Sequence, residues 1–386
     1  MGTVQLFRSE RATAVLLACA AAAGLLLANS PLGATAIGIR DAHPSTGVAV
    51  LDLSPGHWIA DGLLTLFFLV VAIELRHELT RGELATPRTA LAPAIAALGG
   101  VVVPALVYLA IVRDPSAGVG WPIPTATDIA FALGVLALLG RGLPRRVRAF
   151  LLALAVLDDL IAIAIIAAFF TQDLVPAPLL LAVPIIAAFG WISARRSLPR
   201  GVRGTALVVL GITAWVLVYS SGVHPTIAGV ALGFVFSPAS ARPTRHALEP
   251  WVNALVLPLF AFSAAMVAIP EVRDGGLGDV FWGVFVALPI GKLVGITAGA
   301  LIAQRMAPAA ERSAALRVPE ILVIASLGGV GFTISLLMAE LAFRGEPRLV
   351  ASATLAVLGG SLLALLIGGT TTMLVARRAR LSSSER

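Results

Sequence analysis

Twelve apolar stretches follow one another along this chain, most of them long enough to cross a lipid bilayer as a helix, and they leave it little choice of solvent. A hydrocarbon core about 30 Å thick takes about 20 residues of helix at about 1.5 Å per residue. The stretches lie near 12–29, 59–76, 90–112, 121–140, 150–170, 178–194, 204–220, 223–236, 250–269, 281–301, 321–342 and 351–376. Composition agrees: 58% of the 386 residues are apolar and only 13% are charged, against ~25% charged in soluble domains, too few to coat a water-soluble particle. A membrane β-barrel would instead show many alternating segments of about ten residues. The expected class is an all-α polytopic membrane protein with about 12 transmembrane helices, a single domain over 1–386. The first stretch follows Arg8 and Arg11 as a signal peptide would, but with eleven more behind it we read it as a retained span.

The basic residues test that count, because cytoplasmic loops collect Lys and Arg. Of 28 basic residues, Lys292 alone is a lysine. With both termini inside, 22 arginines fall on the cytoplasmic side and only Arg40, Arg113, Arg273, Arg344 and Arg348 fall outside. The net charge of +7 therefore sets topology, and its short clusters between apolar runs point to membrane lipid rather than nucleic acid as the partner. Cys19, the single cysteine, excludes an internal disulfide and a cysteine metal site. The longest outside connection, 31–57, suits a short hairpin or an interfacial helix and is the expected place for a homodimer contact.

A charge at mid-membrane costs ~2.5–3.5 kcal/mol on insertion scales, so each one retained calls for a partner, water or a function. Asp61 and Glu74 bracket the second stretch, Asp128 lies in the fourth, Asp158 and Asp159 in the fifth, His224 opens the eighth, and Lys292 lies in the tenth. Asp61 reads most simply as a helix-end charge. Asp158 and Asp159 do not, being flanked by Leu151–Leu157 and Leu160–Phe170. Neighbours on a helix differ by about 100° in direction, so the two cannot point at one ion. A division of labour follows, in which one binds a cation and exchanges it for protons while the other pairs with a base. Lys292 is the one lysine available.

Pro122 and Pro124 lack amide donors, and Thr125, Thr127 and Asp128 supply oxygens, so the fourth stretch is expected to break in mid-membrane. Glycines in Ser326-Leu-Gly-Gly-Val-Gly-Phe-Thr-Ile-Ser335 allow a matching interruption or close helix packing. The two segments occupy corresponding places in three-span blocks, 90–170 and 281–376, which start from opposite sides. Any repeat relating these blocks is inverted, the pattern of alternating-access transporters. The helices and loop of about 12–76 then form an interface-type unit.

Pro124-Thr-Ala-Thr-Asp-Ile-Ala-Phe-Ala-Leu-Gly134, Leu157-Asp-Asp-Leu160, Val223-His-Pro-Thr-Ile-Ala-Gly229, Leu257-Pro-Leu-Phe-Ala-Phe262, Gly291-Lys292 and Gly328-Gly-Val-Gly-Phe-Thr333 together resemble the NhaA family of bacterial sodium/proton antiporters. The resemblance spans nearly the whole chain. It implies an inverted repeat with crossed broken helices, exchange of internal sodium or lithium for external protons by alternating access, and a multi-pass place in the bacterial inner membrane. More protons than sodium ions move per cycle, so the membrane potential helps drive export. It also implies no cofactor, the ions being cargo. By position, Asp159 resembles the principal cation-binding carboxylate, Asp158 the partner of Lys292, and Thr127 with Asp128 the polar centre of the crossed helices. Glu74, Glu78, His224, His246 and Glu249 resemble regions that answer to pH. The chain departs from the family there, with Arg245 where an acid usually precedes the histidine, Glu249 where a second histidine is usual, and His77 in place of an arginine.

Two other classes fit less well. A passive channel would need a ring of coordinating groups rather than paired broken helices and one deep lysine. Gly276-Leu-Gly-Asp279 looks like an intramembrane aspartyl-protease string, but neither Tyr108 nor Tyr219 precedes an aspartate, so no enzyme is expected.

Overall fold

A computed structural model describes residues 10–43, 52–82, 84–171, 173–269, 277–306 and 316–384. Arg8, Arg273, Arg312 and Arg386 of the topology count, Gly276, and 44–51 of the long outside connection lie outside the described residues. The described chain is helical throughout, in the order α1 Glu10–Ala28, α2 Gly33–Asp41, α3 Pro55–Arg81, α4 Pro87–Ile111, α5 Ile129–Leu139, α6 Arg145–Phe169 and α7 Pro176–Ala194. There follow α8 Arg200–Ser220, α9 Thr226–Val235, α10 Pro238–Ala264, α11 Asp279–Met306, α12 Val318–Gly328, α13 Phe332–Ala342 and α14 Pro347–Ser384. Among the described residues, nine helices are long and apolar enough to cross a bilayer, or up to eleven if each of two bent pairs is one span. The eighth expected stretch is the short apolar helix α9.

Prolines punctuate the chain because the first turn of a helix has no use for its amide hydrogens. Helices α3, α4, α7, α10 and α14 all begin at one. The outer faces of α7 and α8 carry exposed Leu180, Leu181, Val183, Val208 and Val209, a surface that only lipid can solvate. Three wide, π-helical turns interrupt longer helices: Trp58–Leu63, Val252–Val256 and Ala287–Gly291. Pro289 lies within the third and Pro258 just after the second, where a missing amide hydrogen favours a wider turn. In the first, the Asp61 carbonyl accepts from Thr65 Oγ1 at 2.7 Å and from Trp215 Nε1 at 3.0 Å. Two side chains thus satisfy a carbonyl that regular winding would have used.

Helix packing relies on small residues, as expected where lipid removes the hydrophobic drive between helices. Gly291, Gly295 and Gly299 form one stripe of α11 at four-residue spacing and press on α4. A methyl group on Gly295 would collide with the Gly99 carbonyl oxygen, on Gly299 with the Ile95 carbonyl oxygen, and on Gly291 with Pro104. Gly100 leaves room for the Ile296 side chain in the same seam, and the Lys292 stem passes beside it. Replacing Gly295 with leucine is therefore expected to part α4 from α11 and to lower the thermal midpoint in detergent by the equivalent of about 1–3 kcal/mol, the usual cost of overpacking. An unchanged midpoint in a fluorescence-detected melt would contradict this seam.

Several expectations change in detail. The fourth stretch is two short 3₁₀ turns, Ala117–Gly120 and Ile123–Thr125, then extended backbone, then α5. The eleventh breaks between α12 and α13 with a bend of 45°. The outside connection holds α2, set at 112° to α1. The ninth starts at Pro238 rather than near 250, because its first three turns are polar enough to lie outside an apolar window.

Candidate ion-binding site

The two breaks meet. Extended residues after Thr125 run against the break at 329–331, and the Asp128 amide donates to the Val330 carbonyl at 2.6 Å. Ser335 Oγ donates to the Ile123 carbonyl at 2.7 Å. The rings of Phe131 and Phe332 pack with centroids 4.8 Å apart. Backbone groups that an unbroken helix would have used are satisfied across the crossing, as a membrane interior requires.

Asp128 sits where two helices begin. Its Oδ1 accepts from the Ala130 and Phe131 amides at 3.0 and 3.2 Å, capping α5. Its Oδ2 accepts from the Thr333 amide at 3.2 Å and the Thr333 hydroxyl at 2.7 Å, in the first turn of α13. One carboxylate therefore faces the positive ends of both half-helices.

Lys292 serves the opposite pole. Wholly buried, its Nζ lies 2.6 Å from Asp158 Oδ2 and 2.9 Å from Thr127 Oγ1. Thr127 Oγ1 lies 2.6 Å from Asp158 Oδ2 and 2.7 Å from the Gly328 carbonyl. A hydroxyl has one proton, so Thr127 accepts from Lys292 and donates to only one of those two oxygens. Gly328 ends α12, and through Thr127 the lysine charge reaches the negative end of that half-helix.

Asp159, the next residue of α6, is buried and turned away from this pair. Its Oδ1 has no hydrogen-bond partner among the described residues, and neither does Asp158 Oδ1. A buried carboxylate oxygen without a donor is costly unless a cation or a proton comes to it. Three aspartates and one lysine leave a formal excess of two negative charges when all are ionised. Among the described residues no three of His, Cys, Asp and Glu converge as a metal-holding group, so a cation here would draw on one or two carboxylates completed by backbone oxygen and water.

The five expected pH-responsive residues do not form one cluster. Glu74 Oε1 on α3 lies 3.3 Å from Arg245 Nη1 on α10, and His246 Nδ1 lies 3.9 Å from Glu249 Oε2. Glu78 lies one turn beyond Glu74 on α3. His224 is elsewhere, buried with its Nε2 3.2 Å from Asp61 Oδ1 and its Nδ1 2.6 Å from Thr226 Oγ1. Asp61 is thus a buried carboxylate facing a buried histidine and not the simple helix-end charge that its position suggested.

Sequence reasoning missed two acids. Glu320, buried in the first turn of α12, accepts from Arg146 Nη2 at 2.8 and 3.0 Å and from the Arg317 amide at 2.8 Å, anchoring the half-helix to α6. Glu340 lies in the last turn of α13. Both fall in or beside an apolar run, the signal that singled out Asp158 and Asp159.

The chain is similar to known proteins over most of its length. The family described as Na+/H+ antiporter 1 matches residues 4–372. A protein named Na(+)/H(+) antiporter NhaA 2, from Clavibacter michiganensis subsp. michiganensis, is 52% identical over 97% of this chain and 93% of its own length. NhaA antiporters of Streptomyces avermitilis and Tropheryma whipplei are 45% and 41% identical, over 97% and 94% of this chain and 81% and 94% of their own lengths. With a family match over residues 4–372 and 52% identity to a named antiporter over 97% of its length, the chain belongs to the NhaA family of sodium/proton antiporters.

Proposed function

We propose that this protein exports cytoplasmic sodium or lithium in exchange for external protons, with Asp159 as the carboxylate for which the ions compete. It is a multi-pass protein of the bacterial inner membrane and a secondary transporter rather than an enzyme. The observation that carries the site assignment is the unpartnered, buried Oδ1 of Asp159 beside a Lys292–Asp158 pair at the meeting of two broken helices. Lys292 neutralises one acid, and two charges then remain for ions to balance. Two protons balance them fully and one sodium ion only half, which supports electrogenic exchange. At ~2.3 kcal/mol per charge per 100 mV, one net charge per cycle lets the membrane potential drive export.

The blocks 90–170 and 281–376 supply one broken element each, which supports an inverted repeat whose rocking exposes the crossing to either side. The arginine distribution supports cytoplasmic termini. Exposed Leu32 and Ile39, at the start of the outside connection, support a homodimer through 31–57.

Purified protein in proteoliposomes is expected to move protons when sodium or lithium is added, and its apparent sodium affinity is expected to fall as the medium becomes more acidic. Where one proton competes with one sodium ion, the apparent KM rises by up to about tenfold per unit of pH. A sodium flux indifferent to an imposed proton gradient would show a channel instead. A KM independent of pH would reject competition at one carboxylate.

A further inference from the structure

The exchange described above leaves one acid of the membrane interior without a task. Glu340 lies on α13, and among the described residues no hydrogen bond or ion pair engages its carboxylate. It lines a cavity of about 810 Å³ together with Leu337 and Leu341 of the same helix. Residues four and seven apart share a helix face, so Thr333, Leu337 and Glu340 form one stripe. Thr333 donates to Asp128. Leu337 is about 6 Å along the axis from Thr333, and Glu340 about 10.5 Å. The cavity thus ends about one turn from the crossing, and Glu340 is an acid on the way to it.

The other charges of the cavity have their own obligations or stand beyond the helix. Arg40 is spent on Asp41, with Nε 2.7 Å from Oδ1, and on the Met266 and Ser263 carbonyls at 2.7 and 3.2 Å. Asp61 faces His224 at 3.2 Å, and His57 Nδ1 lies 2.8 Å from Ser54 Oγ. Arg344 and Arg348 lie past the end of α13, across the turn that Gly345 closes at φ +88°. No single ion pair locks the Glu340 carboxylate, and the residue is only partly buried where it lines the cavity. Arg40, Arg344 and Arg348 all belong to the arginine-poor, outward side of the sequence count.

We infer that Glu340 is the outward proton-loading residue of the exchange. It takes a proton from water in the outward cavity and hands it inward as sodium leaves the crossing. The Glu340 O–H bond breaks as an O–H bond forms on a site carboxylate, through water that enters once outward opening extends the cavity past buried Leu337, and external hydronium then restores the proton on Glu340. The inference rests on the antiport reading above. It differs from the role of Asp159 because Glu340 holds protons only and never the exported ion.

The test separates proton-coupled from proton-free turnover of the Glu340→Gln protein in proteoliposomes. Sodium-driven proton movement is expected to fall about tenfold or more, as for loss of a positioned proton-transfer group. Exchange of radioactive for unlabelled sodium at equal pH on both sides needs no proton loading and is expected to keep the wild-type rate. An equal fall in both fluxes would assign Glu340 to the fold, and wild-type rates in both would assign it to neither; each overturns the inference. Absence of sodium-driven proton movement in the wild-type protein would instead reject the antiport reading.

Discussion

Replacing Asp159 with asparagine is expected to abolish sodium-dependent proton movement while leaving the protein at least as stable as before. Asparagine keeps the shape of the side chain but carries no negative charge, so it offers no site at which sodium and protons can displace one another. The structure predicts the second half of that result. The Asp159 Oδ1 has no partner among the described residues, whereas Asp158 is held by Lys292. Removing a buried charge that nothing neutralises relieves a desolvation penalty instead of breaking a bond. Proteoliposome transport and a thermal melt in detergent, run on the same preparation, read both outcomes. Exchange at the wild-type rate would remove Asp159 from the ion site. A large fall in the thermal midpoint would show that its carboxylate is a structural bond.

The Lys292→Ala protein is expected to behave in the opposite way, losing stability first. Its ammonium is wholly buried and reaches Asp158 and Thr127, and through Thr127 the Gly328 carbonyl that ends α12. Removing one partner of a buried pair leaves an uncompensated charge and typically costs about 3–5 kcal/mol, more than the pair itself contributes over neutral groups of similar shape. The double replacement Lys292→Gln with Asp158→Asn should therefore recover much of the lost thermal midpoint, since a neutral amide pair can sit in the same space. If Lys292→Ala melts with the wild type, the pair contributes little to the fold. If the double variant melts as low as the single one, the loss comes from packing against Gly100 and not from charge.

These two neighbours, Asp158 and Asp159, show how far the chain could be read directly. That they differ in task follows from the 100° between successive helix positions. The pairing of Asp158 with Lys292 did not follow from periodicity, because the two residues lie 134 positions apart, on α6 and α11, and meet only in the folded protein. Asp128 was legible as a polar residue behind two prolines. Its four donors, two of them from Thr333 on another helix, were not. Glu340 and Asp61 make the same point from the other side. The rule that notices an acid in an apolar run applies to Glu340, and only the packing of α13 shows that it opens into a cavity. Asp61 looks like a helix end until His224, from another part of the chain, stands 3.2 Å away.

The chain's own residues determined its solvent, its all-helical membrane class and the identity of its exceptional charges, because the cost of placing charge in hydrocarbon is local and acts on each residue where it stands. Proline placement likewise determined where the fourth stretch had to break, since a missing amide hydrogen acts within one helical turn, whereas the glycines of the eleventh allowed either a break or close packing. Tertiary structure alone decided which broken end faces which charge. Asp128 came to lie at two helix starts and Lys292 near a helix end because glycine stripes let α11 approach α4 closely and because the unwound segments satisfy each other's backbone. Dipole compensation and ion pairing depend on distance in space, and no spacing along a chain contains that distance.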